Sequence, residues 1–110
     1  MMYVDFTAGN RNYKLRLDTR AILALEKKLG CNPLSIFGDG ETIPPLTVMV
    51  AILHAALQPL EHGITEDAAM RIFDDYLADK HTMVEFLNVI VDIYKVSGLI
   101  KNEEVEDEKN

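Results

Sequence analysis

Positions 46–58 of the chain read LTVMVAILHAALQ, and this stretch decides which kind of fold the protein can adopt. Placed on a helix, it is apolar almost all round, and Pro59 marks its end. Such a helix is stable in water only when neighbouring elements cover it on most sides. The nearly unbroken apolar run, from Val48 to Leu57 with only His54 inside it, is also only about half of the roughly 20 residues that a membrane span requires. We therefore predict a buried central helix and no membrane association.

The composition agrees with a helical core around this segment. Of 110 residues, 48% are hydrophobic but only 7% are aromatic, and tryptophan is absent. A core of Leu, Ile, Val, Ala and Met suits packed helices better than a sandwich of strands. A chain of this length fills one core, so we expect one mainly α domain over residues 1–100.

The chain before the helices predicts a β-hairpin over about residues 3–17. Tyr13, Leu15 and Leu17 are spaced by two and share one face of a strand, which places Lys14 and Arg16 on the other face. The Gly-Asn pair at positions 9–10 can adopt the positive φ of a tight reversal. One face should cover the helices, and the basic face should meet water or a partner.

Four helices should follow the hairpin, together with one short helical turn. Asp18 or Thr19 can cap a helix that runs to Leu29 and stops at Gly30, and Pro33 opens the short turn. Glycines and prolines at positions 38–45 predict a flexible loop.

Two further helices follow the central one. The first begins near position 65, and its apolar residues recur at helical spacing: Ala69, Ile72, Phe73, Tyr76 and Leu77. Thr82 and Glu85 form a capping box that starts the last helix, and Gly98 stops it. Residues 101–110 are nearly all charged or polar and predict a disordered acidic tail.

The last helix carries more apolar surface than one buried face needs. Its excess valines are Val84, Val89, Val91 and Val96. Val89 and Val96 lie seven residues apart on a stripe that we expect to be partly exposed. These four valines, together with Lys14 and Arg16, are the candidate partner-binding residues. The alternative is that the valines fill the protein's own core or a contact between two copies.

Charge separates the two ends of the chain. The net charge is −7, but residues 1–30 hold six basic and three acidic side chains, whereas residues 31–110 hold five and fifteen. A mostly acidic surface repels phosphates, so we predict no binding to nucleic acid. The lone Cys31 and the lack of a secretory signal favour the cytoplasm.

The residue types that support catalysis do not form a recognisable site. Neighbours of His54 at helical spacing include no carboxylate or thiol, so a core or rim histidine is the better interpretation. His62, His81 and Cys31 stand at no metal-ligand spacing. Acidic residues that could bind a cation instead fit solvated positions: Asp74, Asp75, Asp79 and Glu85. We predict no metal, no cofactor and no enzymatic activity.

Several segments resemble the small tail assembly chaperones of long-tailed bacteriophages and related prophages. The residues that carry the resemblance are Tyr3, Phe6, Thr7, positions 13–17, 19–22, 25–26, 29–30, 32–34 and 36–37, with weaker matches at 56–58, 64–67 and 97–99. The resemblance implies a small helical protein that transiently binds the tape measure protein before tube subunits polymerise around it. It implies no catalytic residues.

The same resemblance gives the expected partners and location. These are the tape measure protein, with the major tail protein and a second copy of the chain as further candidates. The protein would act in the cytoplasm of the bacterial host and would be absent from the mature virion. A competing hypothesis is an acidic regulatory or inhibitory module that mimics nucleic acid. A small enzyme ranks below both.

Overall fold

The computed structural model describes residues 2–37 and 43–101, and these form a hairpin followed by four helices. The elements in order are β1 (Val4–Ala8), β2 (Arg11–Leu15), α1 (Thr19–Leu29), a 3₁₀ turn (Pro33–Phe37), α2 (Leu46–Leu57), α3 (Glu66–Ala78) and α4 (Met83–Val96). The predicted mainly α fold with an N-terminal β-hairpin is confirmed. The predicted acidic tail lies beyond the described residues, except for Lys101, and so does the 38–42 part of the predicted loop.

The two strands pair antiparallel, with Phe6 opposite Tyr13 and Asp5 opposite Lys14. Phe6, Tyr13 and Leu15 are buried, whereas Asp5 and Lys14 are exposed, as the alternation of the sequence predicts. The hairpin therefore covers one side of the helices with its apolar face.

The hairpin turn is fixed by local geometry and by a contact with α3. Gly9 and Asn10 have φ values of 58° and 68°, which a two-residue turn of type I′ requires. The Gly9 amide donates a hydrogen bond to Asp79 Oδ2 at 2.9 Å. The turn is thus tied to the C-terminal end of α3, which lies 70 residues away in sequence.

Changing Gly9 to alanine should destabilise the protein by about 2 to 3 kcal/mol. The added Cβ would meet Asp75 Oδ2 at 2.8 Å, in addition to the strain of a positive φ. Gly63→Ala is the matched control, because Gly63 has a φ of 78° but nothing within 4 Å of the added atom. The control should cost only about 1 kcal/mol in urea unfolding. Equal losses for the two variants would contradict the crowding at Gly9.

The helix ends follow the predicted caps. The Asp18 side chain accepts a hydrogen bond from the Ala21 amide, and Gly30 closes α1 in the left-handed conformation with φ 72°. Thr82 and Glu85 form both bonds of the capping box at the start of α4. These local bonds satisfy amides that the helix itself leaves unpaired, and each cap contributes about 1 kcal/mol.

α2 is the centre of the core, as the sequence predicts. It contacts α1, α3, α4 and β2, and most of its residues are buried. Four aromatic rings contributed by β1, α3 and α4 pack together beside it: Phe6, Phe73, Tyr76 and Phe86. None of the described helices has the length and apolar character that crossing a membrane demands.

Candidate protein-binding surfaces

The valines of α4 do not form one surface. Phe86, Ile90 and Ile93 form the buried ridge of this helix. At about 100° per residue, Val84 and Val91 fall on one side of that ridge, and Val89 and Val96 fall on the other. The structure therefore divides the four candidate residues into two pairs on opposite edges of α4.

The two edges differ in how far they reach solvent. Val84 is 61% exposed, the largest exposure among the large hydrophobic side chains of the described residues. Val91, Val89 and Val96 are all half-buried, and Val89 packs against the core. Val89 and Val96 are partly exposed, as expected from the sequence, but the edge of Val84 and Val91 offers the more accessible apolar surface.

The basic side chains of the hairpin have partners within the molecule. Lys14 Nζ lies 2.6 Å from Asp5 Oδ1 on the paired strand. Arg16 Nη1 donates a hydrogen bond to the Met2 carbonyl at 2.9 Å, and its guanidinium lies 6.0 Å from the centre of the Tyr3 ring. Strand register places Asp5 opposite Lys14, and the alternation pattern alone did not reveal this. The ion pair reduces the charge that Lys14 presents to a partner, whereas Arg16 keeps its charge and is held by neutral groups.

Sequence reasoning missed an apolar side chain on the outer face of α1. Leu23 is 59% exposed and points away from the buried Ala21 and Leu25. Arg20 and Lys27 flank it at helical spacing and are also exposed. Leu23 fits the apolar periodicity poorly, and that misfit was the signal available in the sequence.

A groove of about 980 Å³ lies between α1 and the C-terminal half of α2. Its apolar lining consists mainly of small residues from the two helices: Ala21, Ala24, Leu25, Ala51 and Ala55. The segment between α2 and α3 closes one side with Pro59, Gly63 and Ile64. A largely apolar depression of this kind is a usual site for a peptide or a small molecule.

His54 lines this groove and is held in place by neighbours. Its Nε2 lies 2.8 Å from the Ile64 carbonyl oxygen and 2.9 Å from Gln58 Nε2. Gln58 Nε2 also donates to the Ile64 carbonyl at 2.9 Å. The sequence predicts a core or rim histidine with one hydrogen bond, and His54 is half-buried and contacts the Ile64 carbonyl.

The other histidines and acids make local contacts. His81 stacks on Tyr76 with ring centres 4.4 Å apart and lies 3.1 Å from Glu85 Oε2. The hydrogen bond from His81 lowers the pKa of Glu85. The hydrogen bond from Lys28 likewise lowers the pKa of Glu66, the residue that begins α3.

No group of three or more His, Cys, Asp or Glu side chains in residues 2–37 and 43–101 is arranged to hold a metal ion. The absence of enzymatic activity stays a prediction.

Comparisons with known proteins give one match. Residues 4–109 match the model of a protein family described as "Family of unknown function (DUF6096)". Comparison with curated proteins gave no match, and comparison with solved structures gave none.

Proposed function

The chain belongs to the DUF6096 family, whose function is unknown, and we propose that it is a phage tail assembly chaperone. In this role it binds the tape measure protein and keeps it soluble before the tail tube polymerises. The proposal is supported by the resemblance of the hairpin and α1 region to such chaperones, and by an exposed apolar edge on a small acidic protein.

The observation that carries the proposal is the edge of α4 formed by Val84 and Val91. Val84 is 61% exposed, whereas Phe86, Ile90 and Ile93 on the ridge of the same helix are fully buried. A long helical client exposes apolar stripes, and a protein with an unfilled apolar helix edge can shield them. The net charge of −7 would keep the complex in solution.

Changing Val84 and Val91 together to lysine should abolish co-purification with a tape measure fragment from the same phage or prophage. The fold should be retained, because exposed substitutions usually change stability by less than about 0.5 kcal/mol and a half-buried lysine can extend its ammonium into water. Co-expression followed by affinity capture measures binding, and thermal melting of the same variant measures the fold.

The matched control changes Val89 and Val96 to lysine on the other edge of α4. Because Val89 packs against the core, this variant should lose roughly 1 to 3 kcal/mol of stability. Unchanged capture by the Val84 and Val91 variant would refute the proposed surface. If only the control variant lost capture while it stayed folded, the client would bind the opposite edge of α4.

The competing proposal, an acidic module that mimics nucleic acid, needs carboxylates spaced along an open face. Two of the four aspartates of the α3 region do not fit this arrangement. Asp79 accepts a hydrogen bond from the turn amide of Gly9, and Asp75 lies against the same glycine. We therefore rank this module below the chaperone.

A further inference from the structure

One wall of the groove between α1 and α2 is formed by the length of α1. α1 is 11 residues long, about 16 Å at 1.5 Å per residue, and residues from Asp18 to Lys28 line the groove. A wall of this length matches about three turns of a second helix. The groove is therefore long enough to hold the apolar face of a short amphipathic helix.

The floor of the groove allows a second helix to approach closely. Ala51 and Ala55 are 5% and 7% exposed, and Ala24 lines the wall from α1. Alanine methyl groups leave room that larger side chains would fill, so side chains of a partner helix can enter between α1 and α2. The polar groups on the floor, His54 and Gln58, already contact each other and the Ile64 carbonyl. The middle of the groove therefore suits an apolar face.

The charged side chains at the rim of the groove differ in whether they have a bonding partner. The two anions that line the groove are engaged, because Asp18 caps α1 and Glu66 lies 2.9 Å from Lys28. Within the described part of the chain, Arg20 forms no ion pair, and neither does the adjacent Lys27 on the outer face of α1. Of the cationic side chains that line the groove, Arg20 is thus the one without an ion pair in the described residues, and Lys27 lies beside it on α1, outside the lining.

We propose that this groove binds an acidic amphipathic helix of a partner protein. The apolar face of the helix would rest on the alanines, and its carboxylates would pair with Arg20 and Lys27. A basic helix would meet Arg20 and Lys27 with like charge, which disfavours it. This surface is separate from the valine edges of α4, and the inference does not depend on the tape measure assignment.

Two synthetic 15-residue helical peptides test the proposal with the full-length protein. Both carry Leu and Ala on one face, and the other face carries Glu in one peptide and Lys in the second. The Glu peptide should bind and shift the amide NMR signals of Ala24, Ala51 and Gly63. The Lys peptide should bind at least about tenfold more weakly because its charges are repelled.

Two variants locate the binding site. Arg20→Glu should weaken binding of the Glu peptide by about tenfold, measured by fluorescence anisotropy, since a favourable charge pair becomes a repulsive one. Ala24→Tyr should weaken binding of the Glu peptide to a similar degree, because Ala24 is exposed and a tyrosine there would fill the groove. The matched control is Arg71→Glu, which makes the same charge change at an exposed position of α3. It should leave the Kd within about twofold.

Several results would overturn the proposal. These are no binding of the Glu peptide, equal binding of the Lys peptide, equal weakening by Arg71→Glu, and NMR shifts confined to α4. If removal of residues 102–110 tightened binding of the Glu peptide more than tenfold, the groove would instead be assigned to the chain's own acidic end. Sedimentation that showed a dimer in the wild type and a monomer in Ala24→Tyr would assign it to a second copy.

Discussion

Replacing Phe86 with alanine should destabilise the protein by about 4 kcal/mol, a loss typical of truncating a fully buried aromatic ring. Phe86 is fully buried, and its ring lies 5.0 Å from Phe73, 5.7 Å from Tyr76 and 5.9 Å from Phe6 between ring centres. It therefore joins α4 to β1 and α3 at once. Removing it leaves a cavity that elements from three parts of the chain would have to fill.

Urea unfolding followed by circular dichroism measures this loss. Val84→Ala on the same helix is the control, because Val84 is 61% exposed and its truncation should change stability by less than about 0.5 kcal/mol. A loss below about 1 kcal/mol for Phe86→Ala would show that the four aromatic rings do not hold the elements together.

Replacing Tyr94 with alanine should cost a comparable amount, about 3 to 5 kcal/mol. Tyr94 is fully buried, its ring centre lies 5.9 Å from that of Phe37, and its hydroxyl donates a hydrogen bond to the Pro33 carbonyl at 2.9 Å. The side chain therefore attaches the 3₁₀ turn to α4 through both packing and a buried polar bond.

Tyr94→Phe separates the two contributions. The phenyl ring remains, but the buried Pro33 carbonyl loses its donor, so this variant should lose about 1 to 3 kcal/mol. Full retention of stability in Tyr94→Phe would show that another donor satisfies the Pro33 carbonyl. Both variants should be compared with the wild type at neutral pH.

Because the Tyr94 hydroxyl is buried, we expect the protein to lose stability at high pH. Burial raises the pKa of Tyr94 above its ordinary value. A group with a raised folded pKa stabilises the fold fully below its unfolded pKa, about 10 for tyrosine, and this contribution is lost as the pH rises above that value. The free energy of unfolding should decrease less between pH 8 and pH 11 in Tyr94→Phe than in the wild type.

The sequence by itself determined the elements and their ends. Gly9 and Asn10 predicted the turn, and the capping box predicted the start of α4. Gly30 predicted the end of α1, and the choice between Asp18 and Thr19 as its cap was left to the structure. Each of these features depends on backbone angles and hydrogen bonds within a few residues. The apolar run at positions 46–58 likewise predicted that α2 lies at the centre, since such a helix requires cover on most sides.

Only the tertiary structure decided which parts of these elements remain accessible. Periodicity assigns a residue to a face of its helix, but exposure depends on which distant element packs over that face. Val84 is exposed while Val89 contacts the core, and strand register gives Lys14 an ionic partner in Asp5. The groove exists because α1 and α2 meet through alanines too small to fill the space between them, which neither helix reveals alone.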